Sequence, residues 1–197
     1  MNNTDTFVHF LVESGALKFG NFVTKSGRET PYFINTGEFR TGASLSKLAE
    51  FYAAAFMVHF DGKAQNLTFT YNRKEVKDHG EGGSLVGYKY SEKTNVVIIE
   101  DVITAGTSVN ETMQALSQIE NANVVGLLIS VDRKEKLENG KSALQTVQDE
   151  YGIEAHSIVN INDIIAFLEN EENRKAINAP EGILERVYAY REKWGAV

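Results

Sequence analysis

Short apolar runs alternate with helical stretches over the second half of the chain. Val96–Ile99 and Val124–Val131 are rich in β-branched residues and carry no charge, which is typical of parallel strands buried on both faces. A last short strand is predicted at Glu154–Val159. The helices between and after these strands are predicted at residues 109–120, 143–151 and 162–168, with N-caps at Ser108, Ser142 and Asn162. This order predicts an α/β fold, a parallel sheet flanked by helices.

The N-terminal part of the chain follows a different pattern. A helix is predicted from Thr4 or Asp5 to about Ser14, where Gly15 ends it. Residues 16–35 alternate short apolar pieces with turn residues, which predicts a small antiparallel hairpin. Thr41 or Ser44 then caps a helix that runs to about Phe60. The residues expected on the core face of that helix are Leu45, Leu48, Ala49, Tyr52, Ala53 and Phe56.

A basic, glycine-rich stretch separates two short predicted strands, at residues 67–71 and 85–90. Its sequence is NRKEVKDHGEGG, residues 72–83, and its basic side chains are Arg73, Lys74, Lys77 and His79. Basic groups among glycines suit a segment that covers a polyphosphate. His79 is either a proton donor or simply a hydrogen-bond donor to a phosphate oxygen.

The stretch VVIIEDVITAGTS, residues 96–108, combines a buried strand, two acids and a turn of small residues that leads into a helix. Backbone N–H groups and the helix dipole converge on an anion in such a layout. Glu100 and Asp101 stand beside that anion site, where they can accept hydrogen bonds from ribose hydroxyls. The spacing matches neither a P-loop nor a dinucleotide fingerprint. It predicts a site for a phosphorylated sugar, and the alternative is an ordinary strand–turn–helix with two solvated acids.

Arg133 follows the strand 124–131 and is therefore expected at the same edge of the sheet as Glu100 and Asp101. An arginine there suits a planar carboxylate, because its fork donates two parallel hydrogen bonds. Lys25 and the aromatic run before Ile34 are weaker candidates on their own, since a charge near a turn is usually solvated and aromatic residues usually belong to the core.

Composition narrows the classes of partner. A net charge of −7 argues against nucleic acid or an anionic membrane as the main partner. The chain has no cysteine, so it has no disulfide framework and no thiolate metal site, as suits a reducing cytoplasm. The N-terminus lacks the features of a signal peptide. We expect one cytoplasmic domain across residues 1–197.

Together these segments resemble the orotate phosphoribosyltransferases, members of the type I phosphoribosyltransferase family. ALKFG and KSGRETPYFIN match the family's N-terminal hood, NRKEVKDHGEGG its mobile loop, VVIIEDVITAGTS its site for phosphoribosyl diphosphate (PRPP), and SVDRKE the end of a strand. The mobile-loop string is the most specific, because it separates these enzymes from the purine phosphoribosyltransferases. The resemblance covers nearly the whole chain, with a hood at about residues 1–40 and a core at about 41–197.

The resemblance implies transfer of the phosphoribosyl group of PRPP to orotate in pyrimidine synthesis, with Mg²⁺ on PRPP rather than in a protein metal site. It implies a homodimer in which the mobile loop reaches the neighbour's site. Residues that would act in catalysis are Lys77, His79 and Asp101. Residues that would bind PRPP are Lys25, Arg73, Lys74, Lys77, His79, Glu100, Asp101, Val102, Ile103, Thr104, Ala105, Gly106, Thr107 and Ser108. Residues that would bind orotate are Phe33, Ile34, Thr104 and Arg133. Glu100, where many members carry Asp, is a mild departure.

One departure from the family pattern is larger. The family places a strand, a Gly-Pro-x-Tyr-Lys-Gly pyrophosphate loop and a helix before the strand that leads into NRKE, and this unit, about 25 residues, is missing after Phe60. The alternative function is therefore a non-catalytic or impaired module that binds PRPP or a nucleotide. A phosphoribosyltransferase for another base is a second alternative, which the mobile loop and Arg133 speak against.

Overall fold

Three parallel strands form the central sheet. The computed structural model describes residues 3–24, 27–60, 67–72, 85–103 and 106–196. The strands are β5 (Thr94–Glu100), β6 (Ala122–Asp132) and β7 (Glu154–Asn160), in the order β5-β6-β7. β6 lies in the middle and is buried from residue 126 to residue 132. The register pairs Glu100 with Ile129 and Asp132 with Asn160, so the carboxyl ends of all three strands lie at one edge.

Helices pack around this sheet, which confirms the predicted α/β fold. They are α1 (Asn3–Glu13), α2 (Gly42–His59), α3 (Thr107–Ser117), α4 (Ala143–Tyr151), α5 (Ile161–Glu169), α6 (Glu171–Ala176) and α7 (Ile183–Trp194). One buried cluster joins α1, α5 and α7 and includes Phe7, Phe167 and Val187. A second joins α3 and α4 to β5 and β6 around Val109 and Leu127. No helix in the described ranges has both the length and the apolar character needed to cross a bilayer.

The predicted N-terminal hairpin is present. β1 (Leu17–Val23) pairs antiparallel with β2 (Glu29–Ile34), with a register shift between Phe19 and Phe22. A short 3-10 turn, Thr36–Glu38, follows β2. Tyr32 of β2 is completely buried and packs edge-on against Tyr190 of α7, with ring centroids 5.7 Å apart. The hairpin therefore packs against the C-terminal helix.

The start of α2 is as predicted, but its predicted core face is only partly right. Leu48, Tyr52 and Phe56 are half-buried, whereas Leu45, Ala49 and Ala53 are exposed. Thr41 and Ser44 form a reciprocal capping box. The buried residues of α2 are Phe51 and Ala55, whereas Leu45 is 54% exposed. Phe51 packs against the ring of Phe7 with centroids 4.7 Å apart. The helix is therefore oriented by an aromatic contact with α1, which its own apolar spacing does not encode.

The strands on either side of the basic stretch pair with each other and are shorter than predicted. β3 (Thr70–Asn72) is antiparallel to β4 (Leu85–Gly87). β4 ends at Gly87, whose φ of +123° brings the site of a Cβ within 2.3 Å of the Phe69 carbonyl oxygen. Glycine is therefore required there, and Tyr90 at φ 46° also departs from strand geometry.

Several helix starts differ from the predictions. α3 begins after Gly106, which adopts the left-handed conformation, and Ser108 lies inside the helix. α5 is capped by Asn160 rather than Asn162, through a capping box with Asp163. α6 is capped by Asn170 and was not predicted. In α5 the Asn-x-x-Asp spacing is itself a local signal for the cap.

The cap of α5 gives a test of this correction. Replacing Asn160 with Ala removes the acceptor for the N–H of Asn162 and should lower the free energy of unfolding by about 1 kcal/mol. Denaturant unfolding measures the effect. Asn162→Ala is the control, because it keeps the cap and loses only a 3.4 Å contact with Arg191; a larger loss in the control than in Asn160→Ala would contradict the assignment.

Candidate functional site

Asp101 lies directly after β5, at its carboxyl end, and contacts both the 3-10 turn that follows β2 and strand β6. Its Oδ2 atom accepts a hydrogen bond from Thr36 Oγ1 at 2.5 Å, and its Oδ1 atom accepts from the backbone N–H of Val102 at 2.6 Å. Its carbonyl oxygen accepts from the N–H and the hydroxyl of Ser130, at 2.9 Å and 2.7 Å. The carboxylate is exposed, so it can accept hydrogen bonds from a ligand while its backbone is held by β6.

Glu100 lies directly before Asp101 and is less exposed. Burial raises the pKa of its carboxyl group, and the negative charge of Asp101 raises it further. The Tyr52 hydroxyl of α2 donates to the Glu100 carbonyl oxygen at 2.7 Å, and burial raises the pKa of that hydroxyl. Two neighbouring acids, of which Glu100 is half-buried, favour a ligand that brings hydroxyl donors or a cation.

The loop after the acids leads into the start of α3. Ile103 is buried in the core, and Gly106 is buried in the left-handed conformation with φ 76°. Thr107 and Ser108 are the first two residues of α3 and are exposed. The first N–H groups of a helix have no partner inside it, and they attract an anion. Val102 is half-buried between the acids and the loop.

Arg133 lies just past the end of β6, at the same edge as the two acids. Its guanidinium stacks over the ring of Tyr32 at 5.0 Å, and its Nη2 atom lies 2.5 Å from Glu135 Oε1. Burial acts to lower its pKa, but interactions with Tyr32 and Glu135 outweigh this and raise the pKa. The guanidinium is therefore charged and is placed against the N-terminal hairpin.

The predicted orotate residues of the hairpin lie on the same strand as Tyr32. Phe33 is 39% exposed, and its ring stacks on that of Phe22 with centroids 5.6 Å apart. Ile34 is half-buried and pairs with Leu17. The described site residues are thus joined through the hairpin, because Tyr32 contacts Arg133 and Thr36 contacts Asp101.

Other predicted site residues lie outside the described ranges. They are Lys25, Arg73, Lys74, Lys77, His79, Thr104 and Ala105. Conversely, the structure adds Thr36, Ser130 and Glu135, to which sequence reasoning assigned no role. Thr36 and Asp101 are 65 residues apart in the chain, so no local spacing could have indicated their contact.

An α/β fold with two acids at a strand end, followed by a loop and a helix N-terminus, places the chain in the class of α/β proteins suited to bind a phosphorylated ligand at this edge. Comparisons identify the family within that class. Over 96% of its length the chain is 41% identical to an orotate phosphoribosyltransferase of Lachnoclostridium phytofermentans, with 96% of that protein covered. It is 42% identical to one from Ralstonia pickettii, with 96% of this chain and 94% of that protein covered. The chain belongs to the orotate phosphoribosyltransferase family, a family of pentosyltransferases.

A solved structure agrees with this assignment. The orotate phosphoribosyltransferase of Francisella tularensis superposes with a TM-score of 0.77 at 28% identity, with 96% of this chain and 95% of that chain covered. No protein-family model matches the chain. The alignment with the L. phytofermentans protein runs over 218 residues, more than the 197 of this chain, so that relative carries residues with no counterpart here. These relatives favour the enzyme over the alternative of a binding module.

The raised pKa of Glu100 predicts a pH-dependent effect on stability. A carboxyl group that binds its proton more tightly in the folded state stabilises the fold at low pH, and this contribution is lost as pH rises through the interval between its ordinary and its raised pKa. Glu100→Gln removes the charge. We expect its Tm to match the wild type at a pH of about 4 and to exceed it increasingly toward neutral pH.

Scanning calorimetry from pH 4 to pH 8 measures this difference. Glu111→Gln is the matched control, because it neutralises an exposed carboxylate on α3. A Tm difference for Glu100→Gln that is independent of pH, or that matches the control, would show that the two acids do not oppose each other in the fold.

Proposed function

We propose that this chain transfers the phosphoribosyl group of PRPP to orotate, which yields orotidine 5′-monophosphate and pyrophosphate, in pyrimidine synthesis. The observation that carries this proposal is the placement of Asp101. Its carboxylate stands at the end of β5, before the N-terminus of α3, and its contact with Thr36 joins it to the hairpin that carries Phe33 and Ile34. Sugar, phosphate and base sites then adjoin one another.

In this proposal each group acts on one part of the substrates. Glu100 and Asp101 accept hydrogen bonds from the ribose hydroxyls, and residues 102–108 with the start of α3 bind the 5′-phosphate. Arg133, Phe33, Ile34 and Thr104 bind orotate. The predicted diphosphate ligands are Lys25, Arg73, Lys74, Lys77 and His79. The bond between the anomeric carbon and the diphosphate oxygen breaks, a bond to the orotate ring nitrogen forms, and the proton of that nitrogen passes to the departing diphosphate or to water. The protein acts mainly by positioning the substrates and by stabilising charge.

The residues present fit a magnesium ion carried by PRPP. Glu100 and Asp101 offer carboxylate oxygens, the hard ligands that Mg²⁺ prefers. Burial and the negative charge of Asp101 disfavour the ionised form of Glu100 and raise its pKa, and a nearby cation would favour the ionised form. Mg²⁺ would neutralise the diphosphate when bound. We further propose a cytoplasmic homodimer in which the mobile-loop segment, residues 72–83, acts in the neighbouring site, as in the family.

The proposal predicts the effect of Asp101→Asn. Loss of a charged acceptor for ribose hydroxyls should weaken PRPP binding about 10- to 100-fold, since such hydrogen bonds contribute about 1.5–3 kcal/mol. The Tm should change little, because the backbone contacts with Ser130 remain. Titration calorimetry with PRPP measures the affinity, and Asp149→Asn, which loses an exposed pair with Lys141, is the control. Unchanged PRPP affinity would remove Asp101 from the site.

The absence of the pyrophosphate-loop unit remains a prediction. We expect this absence to lower the rate of the reaction rather than to change the reaction itself. Ile99 of β5 is 57% exposed on a strand whose sequence is typical of burial on both faces, and Val58 of α2 is 77% exposed. Apolar exposure of this kind is expected where an element that would cover these residues is absent. The longer alignment with the L. phytofermentans protein supports the same interpretation.

This prediction is tested by replacing residues 61–66 with the corresponding longer segment of the L. phytofermentans protein. Losing one preorganised donor typically costs about 10²–10³ in rate, so kcat should rise by at least about 10² in the insertion variant. Affinity for orotidine monophosphate should change much less, because the phosphate site at α3 is local. Equal turnover in the two proteins would show that the chain functions without the unit.

A further inference from the structure

Glu135 lies at the centre of a cluster that joins three parts of the fold. Its Oε1 atom accepts a hydrogen bond from the Tyr190 hydroxyl at 2.9 Å and lies 3.5 Å from the Tyr32 hydroxyl. The same oxygen lies 2.5 Å from Arg133 Nη2, and Oε2 lies 3.5 Å from Arg28 Nη1. One carboxylate thus contacts the hairpin, the end of β6 and helix α7.

Glu135 balances the positive charges in this cluster. The carboxylate faces two guanidinium groups, Arg28 from the hairpin and Arg133 from the end of β6, and Arg133 is the more buried, with its side chain 12% exposed. Without Glu135 the two cations would face each other in partly desolvated surroundings. Removing one partner of a buried pair leaves an uncompensated charge, which favours displacement of the remaining side chain.

The guanidinium of Arg133 is held by charge and stacking rather than by aligned hydrogen bonds. Its Nε and Nη2 atoms are buried, and neither has a well-aligned acceptor among the described residues, although Nη2 is close to Glu135. Stacking over Tyr32 fixes the plane of the group, and Glu135 attracts one edge of it. Donors without acceptors are rare in protein interiors, so the group keeps hydrogen-bonding capacity that the described residues do not use.

Glu135 is itself fixed in place. Its backbone forms an antiparallel bridge with Gly195, and the N–H of Ala196 donates to the carbonyl oxygen of Lys134 at 2.7 Å. Arg28 in turn stacks over Trp194 at 4.9 Å. Residues 195 and 196 therefore hold the backbone at Glu135, and the position of this residue does not depend on Arg133 alone.

From these contacts we infer that Glu135 is a positioning residue, which sets the orientation in which Arg133 reads the carboxylate of the pyrimidine base. The inference rests on the proposed function, which assigns that carboxylate to Arg133. Glu135 does not contact the ligand. Its role is to balance the charges of the two guanidiniums and to keep the Arg133 fork in one place, so that little ordering is left for the moment of binding.

The test compares two ligands that differ only in this carboxylate, orotidine 5′-monophosphate and uridine 5′-monophosphate. Titration calorimetry gives both Kd values for the wild type and for Glu135→Gln, which keeps an acceptor for Tyr190 but loses the charge. The wild type should prefer orotidine monophosphate. The preference in Glu135→Gln should fall by at least about tenfold, with nearly unchanged affinity for uridine monophosphate, whereas a merely structural role would weaken both ligands alike.

Three further variants complete the design. Glu192→Gln, an exposed carboxylate of α7, is the charge-matched control and should keep the wild-type preference. Glu135→Asp retains the charge and should keep part of the preference, so it tests the inference even where Glu135→Gln fails to fold. Arg133→Gln should abolish the preference.

The outcomes separate the inference from the proposed function. A preference lost in Arg133→Gln but unchanged in both Glu135 variants would overturn the inference and leave the proposed function standing. No preference in the wild type, or an unchanged preference in Arg133→Gln, would remove Arg133 from the carboxylate site, and both assignments would then fall.

Discussion

The parallel pairing of β5 with β6 is the constraint on which the site depends. The pairing continues past the end of β5, because the Asp101 carbonyl oxygen accepts hydrogen bonds from both the N–H and the hydroxyl of Ser130. Arg133 follows three residues after Ser130 in the chain. The acid and the arginine are thus placed by one register, and a slip of a single residue would turn every side chain to the opposite face.

Hairpin β1–β2 and the turn that follows it form the second constraint, because they contact the cation of Arg133 and the anion of Asp101. Tyr32 in β2 lies under the guanidinium of Arg133, and Thr36, just after β2, donates to the carboxylate of Asp101. In a chain with a net charge of −7, binding two anionic substrates requires cations to be held locally. Here Arg133 is held by its partner Glu135 and by the ring of Tyr32, and the hairpin links it to Asp101.

Local patterns predicted the elements well where one residue type or one short spacing decides the backbone. The apolar strings of β5 and β6, the turn-rich hairpin and the Thr41 cap are all of this kind. Prediction was wrong or only partly right where a distant packing partner decides which residues are buried. The apolar spacing of α2 allows several faces, and the contact between Phe51 and Phe7 selects one that leaves Leu45 exposed. Ser108 is a good cap residue, but the left-handed Gly106 before it starts α3 earlier.

By itself the sequence determined the order of strands and helices, the acids at the end of β5 and the strings that resemble the family, because each of these is written in contiguous residues. It could not determine which distant side chains meet. The contact of Thr36 with Asp101, the stacking of Arg133 on Tyr32 and the central place of Glu135 join segments far apart in the chain. Only the tertiary structure decided these contacts, because they follow from the packing of the hairpin and α7 around the sheet edge, and packing depends on all the partners at once.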